Sequence, residues 1–202
     1  MKHYEIRRVS GFEELRALPS LSIDHPYFDA PTAIKAYAQI GYSEEALLVH
    51  LWCQEPYTRA EEHAPYGIPC EDSCLEFFFC PVEGDGRYFN IECNSNGCVY
   101  LGFASGLPNL MRMIPDDPKN HPICPEVAKI DGGWETCYKI PYDFIRHVFP
   151  EFTVYEGKTI KANCYKCADL GELPHYFSWS PIVGEPFTYH RTECFGTMTF
   201  VE

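Results

Sequence analysis

Two glutamates on adjacent predicted strands, Glu76 and Glu92, are the first residues of this sequence that could do chemistry. They lie in Ser73–Phe103, a stretch that reads as three consecutive strands with reversals at Glu83–Gly86 and Ser95–Gly97. Alternation sets Leu75, Phe77 and Phe79 against Glu76, Phe78 and Cys80. In the next strand it sets Phe89, Ile91 and Cys93 against Tyr88, Asn90, Glu92 and Asn94. Both glutamates therefore face away from the apolar row. Paired carboxylates on adjacent strands allow three roles. They could work as acid and base on a glycosidic bond, given a separation of about 5–9 Å and one raised pKa. They could accept hydrogen bonds from sugar hydroxyls, or simply meet water on the open face of an antiparallel sheet.

Eleven cysteines are the next candidates. Cys164-x-x-Cys167 resembles a redox or zinc knuckle, but it lies in an alternating run, where residues three apart face opposite ways. Cys70-x3-Cys74 could offer two ligands. No second pair with finger-like spacing follows, and the eight histidines do not cluster. Most of the thiols are expected to fill the core. Calcium could be held at Glu83-Gly-Asp85-Gly or at Asp116–Asp117, although neither has EF-hand spacing. No phosphate loop, nucleophile elbow or HExxH is present. In the last third, Asn163, Tyr165 and Cys167 share one strand face, and His190-Arg191 follows a loop. Trp179 precedes Ser-Pro; a ring projecting at the sheet's rim to stack on a pyranose and a ring closing the core fit this pattern equally.

The elements that must position these groups are mostly strands. His3–Arg8, Ala46–Gln54, Trp134–Ile140, Thr159–Cys167, Tyr176–Trp179 and Phe195–Val201 add to the central three, about nine in all. Ser10 with Glu13 predicts a capping box for a short helix ending at Pro19, and Pro141 opens a second helix through Phe149. Residues 20–43 carry no assigned structure. Residues 104–126, with five prolines, read as a long surface excursion. With no repeat and no linker, the 202 residues are expected to form one domain, 1–202: an all-β, antiparallel β-sandwich of two packed sheets, jelly-roll-like, with one or two short helices.

Composition narrows the partners. A net charge of −13 argues against nucleic acid and anionic membranes, which demand Lys and Arg. No apolar run approaches the ~20 residues that span a bilayer. MKHYEIRRVS contains no apolar signal core, which leads to the expectation of a cytoplasmic protein with reduced thiols.

The ordered succession EDSCLEFFFCP, RYFNIECNSNG, IKANCYKCAD, HYFSWSPI and YHRTECFGTMTF, over residues 45–202, resembles the carbohydrate-binding module family 9-like group, which is related to the sugar-binding modules of xylanases. The resemblance implies an antiparallel β-sandwich without catalytic activity that binds a mono- or oligosaccharide at a sheet-end cleft, with structural calcium in some members. By position, Trp179 matches a stacking tryptophan and Glu76 an acidic sugar contact. Glu92 and Asn94 fall in the strand that supplies further polar contacts. Asn163 would join them in binding hydroxyls, with Tyr165 and Arg191 flanking. The xylanase modules clamp the sugar with a second tryptophan shortly before the acidic residue. Here that segment reads Pro-Tyr66-Gly-Ile-Pro-Cys70-Glu, so either Tyr66 takes that place or the clamp is absent. The alternatives are an intracellular enzyme acting on a small sugar derivative through Glu76 and Glu92, a metal- or thiol-dependent protein, and an interaction module whose sugar site has degenerated.

Overall fold

Strict two-residue alternation drives the chain into strands, and a computed structural model describes them over residues 2–202. In chain order the elements are β1 (His3–Arg8), α1 (Phe12–Arg16), β2 (Leu21–Ser22), β3 (His25–Tyr27), β4 (Lys35–Tyr42) and β5 (Ala46–Gln54). There follow β6 (Cys74–Cys80), β7 (Tyr88–Asn94), β8 (Val99–Ala104), β9 (Met111–Arg112), β10 (Glu126–Ile130) and β11 (Gly133–Pro141). The last are α2 (Tyr142–Val148), β12 (Thr159–Ala168), β13 (His175–Ser178) and β14 (Gly196–Val201).

One ladder runs β10-β11-β5-β4-β1-β14-β12-β6-β7-β8-β9, with β2 on β4, and with β13 between β12 and β3. The sheet curls so that its halves face each other: Leu51, Trp134 and Tyr138 of one half share a core with Phe77, Phe89, Ile91 and Leu101 of the other. The fold is thus mostly β and sandwich-like, but the expectation of a purely antiparallel arrangement is corrected. The N-terminal strand β1 runs parallel to both neighbours, β4 and β14, and makes one mixed sheet of what would otherwise be two.

Strand β4 crosses the segment left without structure. It buries Ala36, Ala38, Ile40 and Tyr42 in alternation. Alanine and glycine are poor strand signals, yet the glycine is required: a Cβ on Gly41 would lie 2.9 Å from both Leu15 and Val9, where α1 packs down. The N-cap of α1 is Gly11, not Ser10, and Glu14 rather than Glu13 reaches back, its carboxylate accepting the Ser10 N–H and Oγ–H at 2.8 and 2.9 Å.

The inner face of β12 carries one charge into the core. Lys166, fully buried, lies between the sheet halves with its Nζ 3.0 Å from Glu55 Oε2. It also lies 3.2 Å from Ser73 Oγ and 2.9 Å from both the Cys167 carbonyl and His175 Nε2. Trp134 Nε1 donates to Ser73 Oγ and to Glu55 Oε1, at 2.8 and 3.2 Å. Burial is the largest influence on both charges and opposes them. The partners together outweigh it, leaving the Glu55 carboxyl below, and the Lys166 ammonium above, its ordinary range. Removing one member of a buried pair strands the other, at a cost of about 3–5 kcal/mol. Lys166→Met should lower stability by that order in urea denaturation, and Lys166→Met with Glu55→Leu should recover much of it.

Candidate functional site

The register of the outer face brings the candidate residues into rows. One row crosses five strands as Tyr27, Tyr176, Cys167, Cys74 and Asn94. The next reads Ser178, Tyr165, Glu76, Glu92 and Tyr100. Glu76 and Glu92 are therefore direct cross-strand partners.

This face does not meet water. The segment before β14 straps across it. Tyr189 stacks on Tyr165 at 4.0 Å between ring centres, and its hydroxyl donates to the carbonyls of Lys166 and Phe177. His190 covers Phe78, and its Nδ1 lies 2.7 Å from the Tyr88 hydroxyl. A 3-10 turn, Pro69–Glu71, lies against β6, β7 and β12 and is tied down by Asp169 N–H donating to the Cys70 carbonyl at 2.9 Å. Glu76 is 2% exposed and Glu92 8%, so both carboxyls are buried beneath this cover.

Burial first, and then Glu92, push the Glu76 carboxyl well above its usual range; the Cys167 thiol donates to its Oε1 at 3.0 Å. Burial likewise lifts Glu92, up to about 7, although Asn90 Nδ2 donates to it at 2.9 Å. Asp169, at the outer end of this group, is raised by burial and hydrogen-bonded to Tyr176 and Cys70.

The structure thus brings Glu76, Glu92 and Tyr165 together and employs the remaining sequence candidates elsewhere. Asn94 is fully buried: its Nδ2 donates to Asp72 Oδ2 and the Glu62 carbonyl, and its Oδ1 accepts from Asn96 and Cys98. Asn163, also fully buried, clamps the backbone of Ser180 through both amide atoms. Tyr165 lies beneath Tyr189. Arg191 is held within the strap by the Pro186 carbonyl at 3.0 Å and by Glu193 at 3.3 Å.

The projecting Trp179 is corrected. Its indole is 3% exposed and lies against Gly196, where a Cβ would come within 2.4 Å of the ring, so the tryptophan closes the core. Tyr66 stacks on His121. Of the calcium candidates, Asp85 is held at both oxygens by the Arg87 guanidinium, and Asp117 Oδ1 accepts the Lys119 N–H at 3.0 Å. Cys164 points into the core and Cys167 outward, as their spacing requires.

What sequence reasoning missed is the rim. Phe28 is 65% exposed and holds a left-handed backbone, φ 62°. It packs edge-on to Tyr27, Phe187 and Tyr176 at 4.6, 5.5 and 6.1 Å, and Tyr27 stacks on Phe187 at 4.2 Å. Tyr176 connects this cluster to Asp169. The available signal was Tyr27-Phe28 set between Pro26 and Pro31 in a polar segment.

Among known proteins, the family model for carbohydrate-binding family 9 matches residues 21–200. A candidate carbohydrate-binding protein from Bacteroides uniformis ATCC 8492 superposes with a TM-score of 0.81 at 26% identity, over 98% of this chain and 99% of that one. A family 9 carbohydrate-binding module from Caldicellulosiruptor kristjanssonii is similar in fold at 11% identity and TM-score 0.69. Its glucose complex aligns over 98% of this chain and 95% of its own, and its cellotriose complex over 99% and 94%. A comparison with curated proteins finds no match.

Trp179→Ala should cost about 3–5 kcal/mol of folding stability, as large core truncations do, and differential scanning calorimetry would register the loss without any ligand. His175 and His190 provide a pH test. Burial, reinforced at His175 by Lys166, lowers both from 6.5 to about 4, so they stay neutral when folded. The unfolded chain binds more protons between those values, so stability is full above about 6.5 and falls as pH drops toward 4. Glu76 and Glu92, raised by burial, act with the opposite sign over this range, so the test is a difference: in chemical denaturation across pH 4–7, wild type should lose stability relative to His190→Gln as pH drops.

Proposed function

The chain belongs to carbohydrate-binding family 9, and from that premise we propose that it binds a neutral mono- or oligosaccharide, without chemistry, at the aromatic rim formed by Phe28, Phe187 and Tyr176. The observation that carries this reading is Phe28. A bulky side chain in the left-handed region is a backbone outlier, and strain of about 1–3 kcal/mol of this kind gathers at binding sites. Here it turns a phenyl ring outward at the edge of three other aromatics. A pyranose presents C–H faces to such rings and hydroxyls at its edge. Asp169, half-buried and hydrogen-bonded to Tyr176, supplies an acceptor at that edge.

Binding without turnover agrees with the state of the paired carboxylates. A hydrolase must admit a sugar ring, and in one class a water, between its two acids. Glu76 and Glu92 are instead engaged by Cys167 and Asn90 under the strap. The charge of −13 favours an uncharged ligand over a polyanion. The glucose and cellotriose seen with the Caldicellulosiruptor module make β-glucosides the first saccharides to test.

The test is a glycan array under reducing conditions with calcium present, followed by calorimetry on each hit with Phe28→Ala and Asp169→Asn. Phe28→Ala should weaken binding about tenfold or more, equivalent to ~1.4 kcal/mol, with the thermal transition unchanged. A silent array, or a hit indifferent to Phe28→Ala, would overturn the assignment.

A further inference from the structure

We propose that Cys74, Cys167 and Glu76 form a buried binding site for one zinc ion. The three side chains come from adjacent strands in fixed register. Cys74 of β6 lies directly opposite Cys167 of β12, and Glu76, two residues along β6, points to the same side. Their donor atoms all lie within 4.8 Å of one another, and Cys167 Sγ is 3.0 Å from Glu76 Oε1. Zinc takes thiolate at about 2.3 Å and carboxylate oxygen at about 2.0–2.2 Å, so tetrahedral donors stand about 3.8 Å apart. Side-chain adjustment of an ångström or less closes that gap without moving the strands.

The surroundings favour a dication as much as the donors do. Glu76, Glu92 and Asp169 repel one another across this face. The cations acting on them are Arg112, which also serves the Gly67 carbonyl, and Lys166, which points through the sheet to Glu55. A metal bound by two thiolates and a carboxylate would bring positive charge where the side chains supply little. Cys70, on the turn above, senses the same carboxylates and Cys167, and is less buried than the three donors. Its thiol is outside the group of mutually close donors, which leaves the fourth position of a tetrahedral zinc to a ligand from outside the three. Two nearby thiols do not compete: Cys164 lies on the inner face of the sheet, and Cys53 beside Glu55 in the core.

The same pair of sulfurs could instead lose two protons and two electrons to an external oxidant and form a cross-strand disulfide, and the experiment separates the two. The full chain, reduced and handled without oxygen, is given one equivalent of zinc, desalted and analysed by elemental mass spectrometry. The expected result is one zinc per chain. It should be lost in Cys74→Ser, Cys167→Ser and Glu76→Gln and retained in Cys194→Ser. Cobalt on the wild-type protein gives a readout that needs no variant to fold: a thiolate-to-cobalt charge-transfer band with the intensity of at least two sulfur ligands. The proposal is overturned if the reduced wild type releases its zinc on desalting, or if zinc survives loss of both Cys74 and Cys167. It is equally overturned if a Cys74–Cys167 disulfide forms in air while the reduced protein shows no cobalt–thiolate band.

Discussion

The buried pair of Lys166 and Glu55 is the constraint from which the rest of the arrangement follows. A fully buried ammonium is tolerated only where hydrogen-bonding partners surround it. Those partners come from three places: Glu55 at the end of β5, Ser73 at the approach to β6, and His175 on β13. Because side chains alternate along a strand, a slip of β12 by one residue would turn Lys166 outward and drive Cys167 into the core. The pair therefore fixes the pairing of β12 with β6 and β13. That pairing sets Tyr165 beside Glu76, and Cys167 between Cys74 and Tyr176.

Fixing the outer face does not expose it. A sheet whose second face carries carboxylates and amides would ordinarily turn that face to water. Here the strap from Ile182 to Phe195 and the turn at Pro69–Glu71 cover it with side chains that complement it. Tyr189 lies flat on Tyr165, His190 accompanies Tyr88, and Asp169 binds the turn's backbone. Polar groups that would otherwise form an open floor have become an enclosed layer, bonded mostly to other protein groups. Accessible aromatic surface is displaced to the perimeter, where β3 pairs with β13 and Phe28 has no strand neighbour to cover it.

The sequence made some of this legible and concealed the rest for definite reasons. Strands β5, β6, β7 and β12 alternate long hydrophobic residues with polar ones, and their bounds and faces could be read directly. That alternation put Glu76 and Glu92 on adjacent strands facing away from the apolar rows, while their direct pairing is a matter of register that only the fold supplies. Strand β4 was hidden because Ala36 and Ala38 are neutral in propensity. The mixed character of the sheet was hidden because a parallel partner for β1 lies more than 190 residues away at β14, and no local pattern records it. Trp179 shows the same limit in one residue. The following Ser-Pro correctly marks the end of a strand but not the direction of the indole, which is decided by the absence of a side chain at Gly196. The rim draws Phe28, Asp169, Tyr176 and Phe187 from three separate segments, so only tertiary structure assembles it.

Strand β12 also shows one physical requirement met in two ways on its two sides. On the inner side the carboxylate of Glu55 is buried with an ammonium supplied by the chain, and both groups remain charged. On the outer side Glu76 is buried beside a second carboxylate, with a thiol rather than a cation at hydrogen-bond distance. A carboxylate in that position has two routes to stability: it keeps its proton, or it gains a positive charge from outside the chain. The first leaves Cys167 and Cys74 as neutral thiols, both well above their ordinary range: Cys167 through its contact with Cys74 and then burial, and Cys74 through burial, which the same contact only partly offsets. The second would convert the same three groups into anionic ligands. The difference between the two sides is whether the chain brings its own cation.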